Sequence, residues 1–286
     1  MKKILLTTDF SKASEKAIHY ALNLFNDTQC EFTLMHAYDT IPAGPPESSF
    51  ALIEDAYKTS KVLLEKQLVN IKKFDNEEYH TFKTELMPTS PSSAIQILNQ
   101  RNNYDLVVVG ASGRGDNIFF GSTATDVVRN AGVNSLVVPV NAKIETIRNI
   151  VFAVDYQPVS SFEIFEDLKD LTHRKDATIT LLNILKDGQT PTDIDGLMKF
   201  EYHDYFNDVK TNDYYVHEKN VEEGIADYLK YHNVDLLVMV SRHHSFFDVI
   251  FNRSVTRKFA LHPTIPLLSI YDEVETFVPE NEIIAF

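Results

Sequence analysis

The chain has few of the residues on which several broad functions depend. Cys30 is the single cysteine among 286 residues, so no internal disulfide can form, and this points to a reducing, cytoplasmic setting. Basic residues are outnumbered: 27 Lys and Arg stand against 41 Asp and Glu, a formal charge of −14. A protein whose main work is gripping nucleic acid needs a basic footprint, so that class is excluded. A local anion site made of backbone N–H groups needs no such footprint and stays open. No apolar run is long enough to cross a bilayer, so no membrane partner is expected. The basic opening Met1-Lys2-Lys3 leads into an apolar run that stops at Leu6, before Thr7, Thr8 and Asp9, so no export signal is expected.

What remains is ordinary globular material, 44% hydrophobic and 24% charged, with a length that suits two domains. Short apolar runs at Ile4 to Leu6, Phe32 to Met35, Leu106 to Val109 and Leu136 to Val138 read as strands buried on both faces. A more solvated strand is expected around Tyr79 to Leu86. Between the strands, helical spacing covers Ser14 to Phe25, Phe50 to Lys73, Ser92 to Gln100 and Thr123 to Asn130. Such alternation predicts an α/β fold with a parallel, right-handedly wound sheet and helices on both faces.

The pattern then returns. Asn149-Ile-Val-Phe-Ala-Val-Asp155 echoes Lys3-Ile-Leu-Leu-Thr-Thr-Asp9, offset by 146, and Asp235-Leu-Leu-Val-Met239 echoes Asp105-Leu-Val-Val-Val109, offset by 130. The second copy is thus 16 residues shorter between these points. The loss is expected in the second helical region, where aromatic-rich Asp193 to Phe206 replaces Phe50 to Lys73. We expect two tandem doubly wound five-stranded parallel sheets, each in the order 3-2-1-4-5, with units at residues 1–143 and 144–286. The polar junction Asn141 to Arg148 leaves little room for a flexible linker, so the units should pack together.

In such sheets ligands bind beyond the carboxyl ends of the strands, where the winding reverses. Asp9 closes the first strand there and Gly110 the fourth, followed by Ala-Ser-Gly113-Arg114-Gly115-Asp-Asn-Ile-Phe-Phe-Gly121-Ser122-Thr123. Glycines let a backbone approach a ligand and turn N–H groups toward an anion. A helix opening at Gly121-Ser122 would favour phosphate, with the Ser122 or Thr123 hydroxyl adding a hydrogen bond. By spacing alone the segment reads equally as a surface turn with a serine N-cap. Asp9 by itself reads as a turn aspartate or as the cap of a helix beginning at Ser11. Arg114 could pair with a phosphate oxygen or stay solvated. No lysine follows a glycine in the P-loop manner, and the glycines follow the fourth strand rather than the first. Both the P-loop and the dinucleotide readings therefore fail.

Taken together, Ile4-Leu-Leu-Thr-Thr-Asp-Phe-Ser11, Val107-Val-Val-Gly110 and the loop into Gly121-Ser122 resemble the universal stress protein family, over both copies. ATP-binding members carry G-x2-G-x9-G-[S/T], whose fixed types match Gly110, Gly113, Gly121 and Ser122. Here seven residues separate Gly113 from Gly121. The resemblance implies ATP, with or without Mg²⁺, held by Asp9 at the ribose or adenine, by the backbone near Ala37 at the adenine edge, and by the glycine loop. It also implies pairing of domains through their last strands, here Leu136 to Val138 and Leu267 to Ile270, built into one chain by the tandem fusion. A homodimer of whole chains is a further expectation.

In the second copy Val240 and His243 stand where Gly110 and Gly113 do, and Arg253-Ser254 stands for Gly121-Ser122. Asp155 keeps the place of Asp9. Large side chains block close backbone approach, so this half is not expected to bind ATP in the same way. Arg242, His243 and His244 lack the spacing of a metal site, and none is expected. His203, His217, His232 and His262 take surface or core roles by default. Ile118, Phe119 and Phe120 would anchor the glycine loop, and Phe246 with Phe247 its counterpart. The tail from Val274 to Phe286 mixes acids with Phe277, Ile283, Ile284 and Phe286, so it either packs on a neighbouring surface or stays disordered.

The leading functional reading is a stress or signalling protein in which nucleotide occupancy, not turnover, is the signal. The alternatives are a slow ATPase, with Asp116 in the loop and Asp126 in the helix after it, and a ligand-free interaction module.

Overall fold

The computed structural model describes residues 1–38, 46–75, 77–111, 122–186, 188–241 and 265–273. In the first half β1 (Lys2–Thr7), β2 (Cys30–Ala37), β3 (His80–Met87), β4 (Leu106–Ala111) and β5 (Ser135–Pro139) alternate with α1 (Lys12–Leu24), α2 (Pro46–Phe74), α3 (Pro91–Asn102) and α4 (Ser122–Asn130). The second half repeats this with β6 (Asn149–Ala153), α5 (Glu166–Lys175), β7 (Thr178–Leu185), α6 (Gly196–Tyr205), β8 (Lys210–His217), α7 (Val221–Tyr231), β9 (Leu236–Ser241) and β10 (Leu267–Tyr271). Each half has the expected strand order, and the two are continuous as one ten-stranded sheet, β3-β2-β1-β4-β5-β10-β9-β6-β7-β8. Pairing is parallel within each half and antiparallel where β5 meets β10.

The central strands are apolar on both faces because helices cover both. Ile4, Leu5 and Leu6 of β1 are fully buried. Ile4 and Leu6 join the core beneath α1, α2, α5 and α6, while Leu5 joins the core beneath α3, α4 and α7. Ser11 caps α1, its Oγ accepting from the Ser14 N–H at 3.3 Å. Ser90 caps α3 in the same way, with Pro91 in the first turn, and Asn103 ends that helix at φ +50. The repeated aspartates that revealed the duplication have a structural task. Asp105 Oδ2 accepts the Lys3 N–H at 2.7 Å, and Asp235 Oδ2 accepts those of Arg148 and Asn149 at 2.9 and 2.8 Å. Each carboxylate fastens the start of the first strand of its half.

The shortening falls where the sequence places it. Glu31 pairs with Thr81 in the first half and Thr178 with Lys210 in the second. The connection between them holds the 29-residue α2 in one case and the 10-residue α6 in the other.

Register also locates the internal symmetry. Val107 pairs with Ser135 and Leu237 with Leu267, which makes Leu136 and Leu268 equivalent, and these two face each other across the β5–β10 seam. Helices α1 and α5 flank the seam. Asp27, at the end of α1, meets Arg174 and Lys175 of α5, the latter at 2.7 Å, and Lys2 pairs with Asp167. Counted from the β1–β2 and β6–β7 registers, Asp27 and Arg174 are counterparts. Two identical copies would oppose like charges there; the diverged halves oppose unlike ones.

Candidate functional site

The winding of the first half reverses between β1 and β4, where an α/β sheet opens a crevice. Asp9 lies just beyond β1. Its Oδ1 accepts the Ser11 N–H at 3.0 Å, closing a turn in which Phe10 takes φ +63. A left-handed aromatic residue costs on the order of 1 kcal/mol and persists only where its surroundings hold it. Here Thr8 Oγ1 accepts the Phe10 N–H at 3.0 Å, and the Phe10 ring lies 4.3 Å from the His36 ring. His36 Nδ1 is 2.7 Å from the Thr8 carbonyl, which can only accept, so Nδ1 carries the proton. The Asp9 carboxylate is thereby exposed at a fixed point of the crevice. Its partial burial works to raise its pKa, but hydrogen bonds from the Ser11 hydroxyl and N–H outweigh this and hold the group below the ordinary carboxylate value.

Ala37 ends β2. The Met35 carbonyl accepts the Thr8 N–H on the β1 side, and the Tyr38 N–H goes to the Met87 carbonyl on the β3 side. Alternation along the strand turns the N–H and C=O of Ala37 to the β1 side, beyond the last rung that β1 supplies. Gly110 is the next-to-last residue of β4. A Cβ there would lie 2.5 Å from the Ala13 carbonyl carbon and oxygen and 2.6 Å from the Ser14 nitrogen. The glycine thus admits the first turn of α1, seating that helix against β4. Ser122 and Thr123 open α4. Gly113, Arg114 and Gly121 lie outside the described residues, as do Ile118, Phe119, Phe120 and Asp116.

The second half rebuilds the same turn. Asp155 Oδ1 accepts the Gln157 N–H at 3.1 Å, Tyr156 takes φ +51, and Asn183, at the register of His36, donates to the Val154 carbonyl at 2.8 Å. Two exchanges then change the crevice. Val240 stands at the register of Gly110, and the helix begins later: α1 starts at Lys12, while α5 starts at Glu166 after a 3₁₀ turn at Phe162–Phe165. Ile184 stands for Ala37, and its side chain fills the place of a missing Cβ at Gly224, which would meet Ile184 Cδ1 at 2.6 Å. Gly224 in turn is the counterpart of the buried Ala94. A cavity of about 350 Å³ opens here, lined among others by Asp155, Tyr156, Asn183, Lys186, Tyr202 and Val240.

Other residues take structural places. Asp126 accepts from Asn130 Nδ2 at 2.6 Å on α4, His203 pairs with Asp213 at 3.0 Å, His217 meets the Gln189 carbonyl at 3.2 Å, and His232 stacks on Tyr228. Among the described residues no group of three His, Cys, Asp or Glu could hold a metal ion, and no helix is long and apolar enough to cross a membrane. Arg242, His243, His244, Phe246, Phe247, Arg253, Ser254 and His262 lie outside the described residues, as does the tail from Val274 to Phe286. The sequence reading passed over Thr8, Phe10 and His36, although the repeated order of small residue, aspartate and aromatic, Thr8-Asp9-Phe10 and Val154-Asp155-Tyr156, carried the signal.

Comparison with known proteins agrees with this geometry. A universal stress protein of Methanocaldococcus jannaschii is 30% identical over 141 residues, which cover 48% of this chain and 81% of that protein. A universal stress protein of Archaeoglobus fulgidus has a similar solved structure, with TM-score 0.72 and 15% identity over 94% of this chain and 98% of that one. A functionally unknown protein of Pseudomonas aeruginosa follows at TM-score 0.59 and 14% identity, over 95% of this chain and 93% of that one. The family's sequence profile matches twice, at residues 1–139 and 146–270. With the five-stranded unit present twice and both profile matches falling on it, the chain belongs to the universal stress protein family.

Proposed function

We propose that the first unit, residues 1–143, binds ATP at the carboxyl ends of β1, β2 and β4, and that occupancy rather than turnover is the signal. The observation that carries this reading is the fixed Asp9 carboxylate beside the main-chain edge of Ala37 at the reversal of winding. Asp9 would accept a ribose hydroxyl, and Ala37 would offer one donor and one acceptor to the edge of adenine. Gly110 supports the site from behind by seating α1. The loop through Gly113, Arg114 and Gly121 and the start of α4 at Ser122 and Thr123 would hold the phosphates, with Mg²⁺ where it accompanies them. Bound nucleotide would supply only charge and shape here. Asp126 is engaged by Asn130, and the reading assigns it no part in activating water.

The second unit, residues 144–286, serves as the built-in partner across the β5–β10 seam. Val240 and the later helix start give its crevice a different floor and mouth, and ATP is not its ligand in the same mode. The chain acts in the cytoplasm, and whole chains pair further as homodimers.

Calorimetry with ATP and Mg²⁺ on the intact protein and on Gly121→Val tests this. Binding by the intact protein that is lost in the variant is expected. Absence of binding by the intact protein would overturn the nucleotide reading.

A further inference from the structure

The same device holds an edge of main chain open in both crevices. In the second half the Leu182 carbonyl accepts the Val154 N–H, and continued parallel register would carry the next rung from the Ile184 N–H to the Val154 carbonyl. That carbonyl is taken instead by the buried Asn183, which donates from Nδ2 at 2.8 Å. Strand β6 ends at Ala153, and the chain turns at Tyr156, where φ is +51. The N–H and C=O of Ile184 therefore face the cavity beyond the last rung as a neighbouring donor and acceptor. In the first half His36 takes the Thr8 carbonyl and opens the edge of Ala37 in the same way. An imidazole and an amide thus do one task, and the second half keeps it although the residues around it have changed.

The space beside this edge measures about 350 Å³, and small-molecule sites begin at about 300 Å³. Ile194, Val221 and Val240 give it apolar walls, and the exposed Asp155 belongs to its lining. Its charged groups are unbalanced: Asp155, Asp193 and Asp195 stand against Lys186, the one basic residue among the described residues that line it. A surface of this sign repels a triphosphate. Among the described residues these carboxylates form no group that could hold a metal ion. The chemistry that fits is an uncharged molecule with a donor and an acceptor side by side on a flat edge and with hydroxyls nearby.

We propose that the second crevice binds a nucleoside without phosphates, its base edge on the main chain of Ile184 and a ribose hydroxyl on Asp155. A carboxylate accepts several hydrogen bonds, so the Gln157 N–H that Asp155 holds in the turn does not exhaust it. The roles given to the edge and the carboxylate rest on the reading of the first crevice as a nucleotide site.

The test is hydrogen exchange of the full-length chain with adenosine, guanosine, cytidine or uridine at millimolar concentration, and with the matching 5′-triphosphates. At least one nucleoside should slow exchange at residues 154–157 and 183–186 several-fold, and its triphosphate should not. Asn183→Leu frees the Val154 carbonyl for the Ile184 N–H and should abolish the slowing, while Asn183→His, which supplies the donor of the first half, should keep it. The nucleoside arm needs no variant, so it decides the matter even where Asn183→Leu does not fold. No response at these residues to any of the four, an equal response to nucleoside and triphosphate, or an Asn183→Leu chain that responds like the parent would overturn the proposal. ATP slowing residues 8–14 while no nucleoside slows residues 154–157 overturns it and leaves the reading of the first crevice standing; a nucleoside response at 154–157 without an ATP response at 8–14 overturns that reading alone.

Discussion

At the scale of residues, small side chains set the difference between the two crevices. Gly110→Ala places a Cβ 2.5 Å from the Ala13 main chain, a contact that α1 can relieve only by moving. A loss of about 1–3 kcal/mol in chemical denaturation is expected, as for other overpacked sites. Gly224→Ala drives a Cβ into Ile184, but here the obstacle is a side chain. The single variant should lose about 1–2 kcal/mol. Adding Ile184→Ala, which recreates the Ala37 and Ala94 arrangement of the first half, should make the effect of Gly224→Ala neutral or favourable, since alanine is the better helix former. Equal penalties for Gly224→Ala with and without Ile184→Ala would contradict the coupling. This coupling was not legible beforehand, because only the strand register brings residues 184 and 224 together. Asp9 could be singled out from its place after the first strand, whereas the turn that holds it depends on His36 and Thr8 meeting across two strands.

Among elements, α2 and α1 carry the clearest contrast. Among the described side chains of α2, Leu64 and Ile71 are the buried apolar ones, while Val62 and Val69 on its other side are exposed. Leu64→Ala should cost about 2–4 kcal/mol, and Val62→Ala should stay within about 0.5 kcal/mol; similar losses at both would contradict the orientation of the helix. The existence of these elements could be read from the sequence because buried strands of a doubly wound sheet are apolar throughout and their helices have a separate period. The late start of α5 could not. The Phe162–Phe165 turn is held by tertiary packing of Phe162 and Phe165 on Tyr202 and Tyr205, which no local pattern announces.

Over the whole molecule, the fusion of two units makes an asymmetric seam from a symmetric one. Asp27 is held below its ordinary pKa: partial burial opposes this, and hydrogen bonding from Lys175 with the charges of Arg174 and Lys175 outweighs it. A depressed carboxylate stabilises the fold above its unfolded value, near 4, and the contribution fades as pH falls through the folded value. The pairs are partly exposed, so a double-mutant cycle of Asp27→Ala with Arg174→Ala should give about 0.5–1 kcal/mol at pH 7. The stability gap between Asp27→Ala and the parent should narrow below pH 4; a gap that widens there would reverse the assignment. Pairing through the last strands was implied by the family resemblance, but its result, one ten-stranded sheet in place of the two expected, was not read from periodicity, because edge pairing leaves no mark on the alternation of elements.

The central claim is that the first crevice takes nucleotide and the second, built on the same turn, does not. Hydrogen exchange of the intact protein with and without saturating ATP and Mg²⁺ tests it most directly. Slowed exchange at residues 8–14, 36–38 and 110–123, with no change at residues 154–157 and 183–186, is the predicted result. Equal slowing at both sets, or at neither, would contradict it.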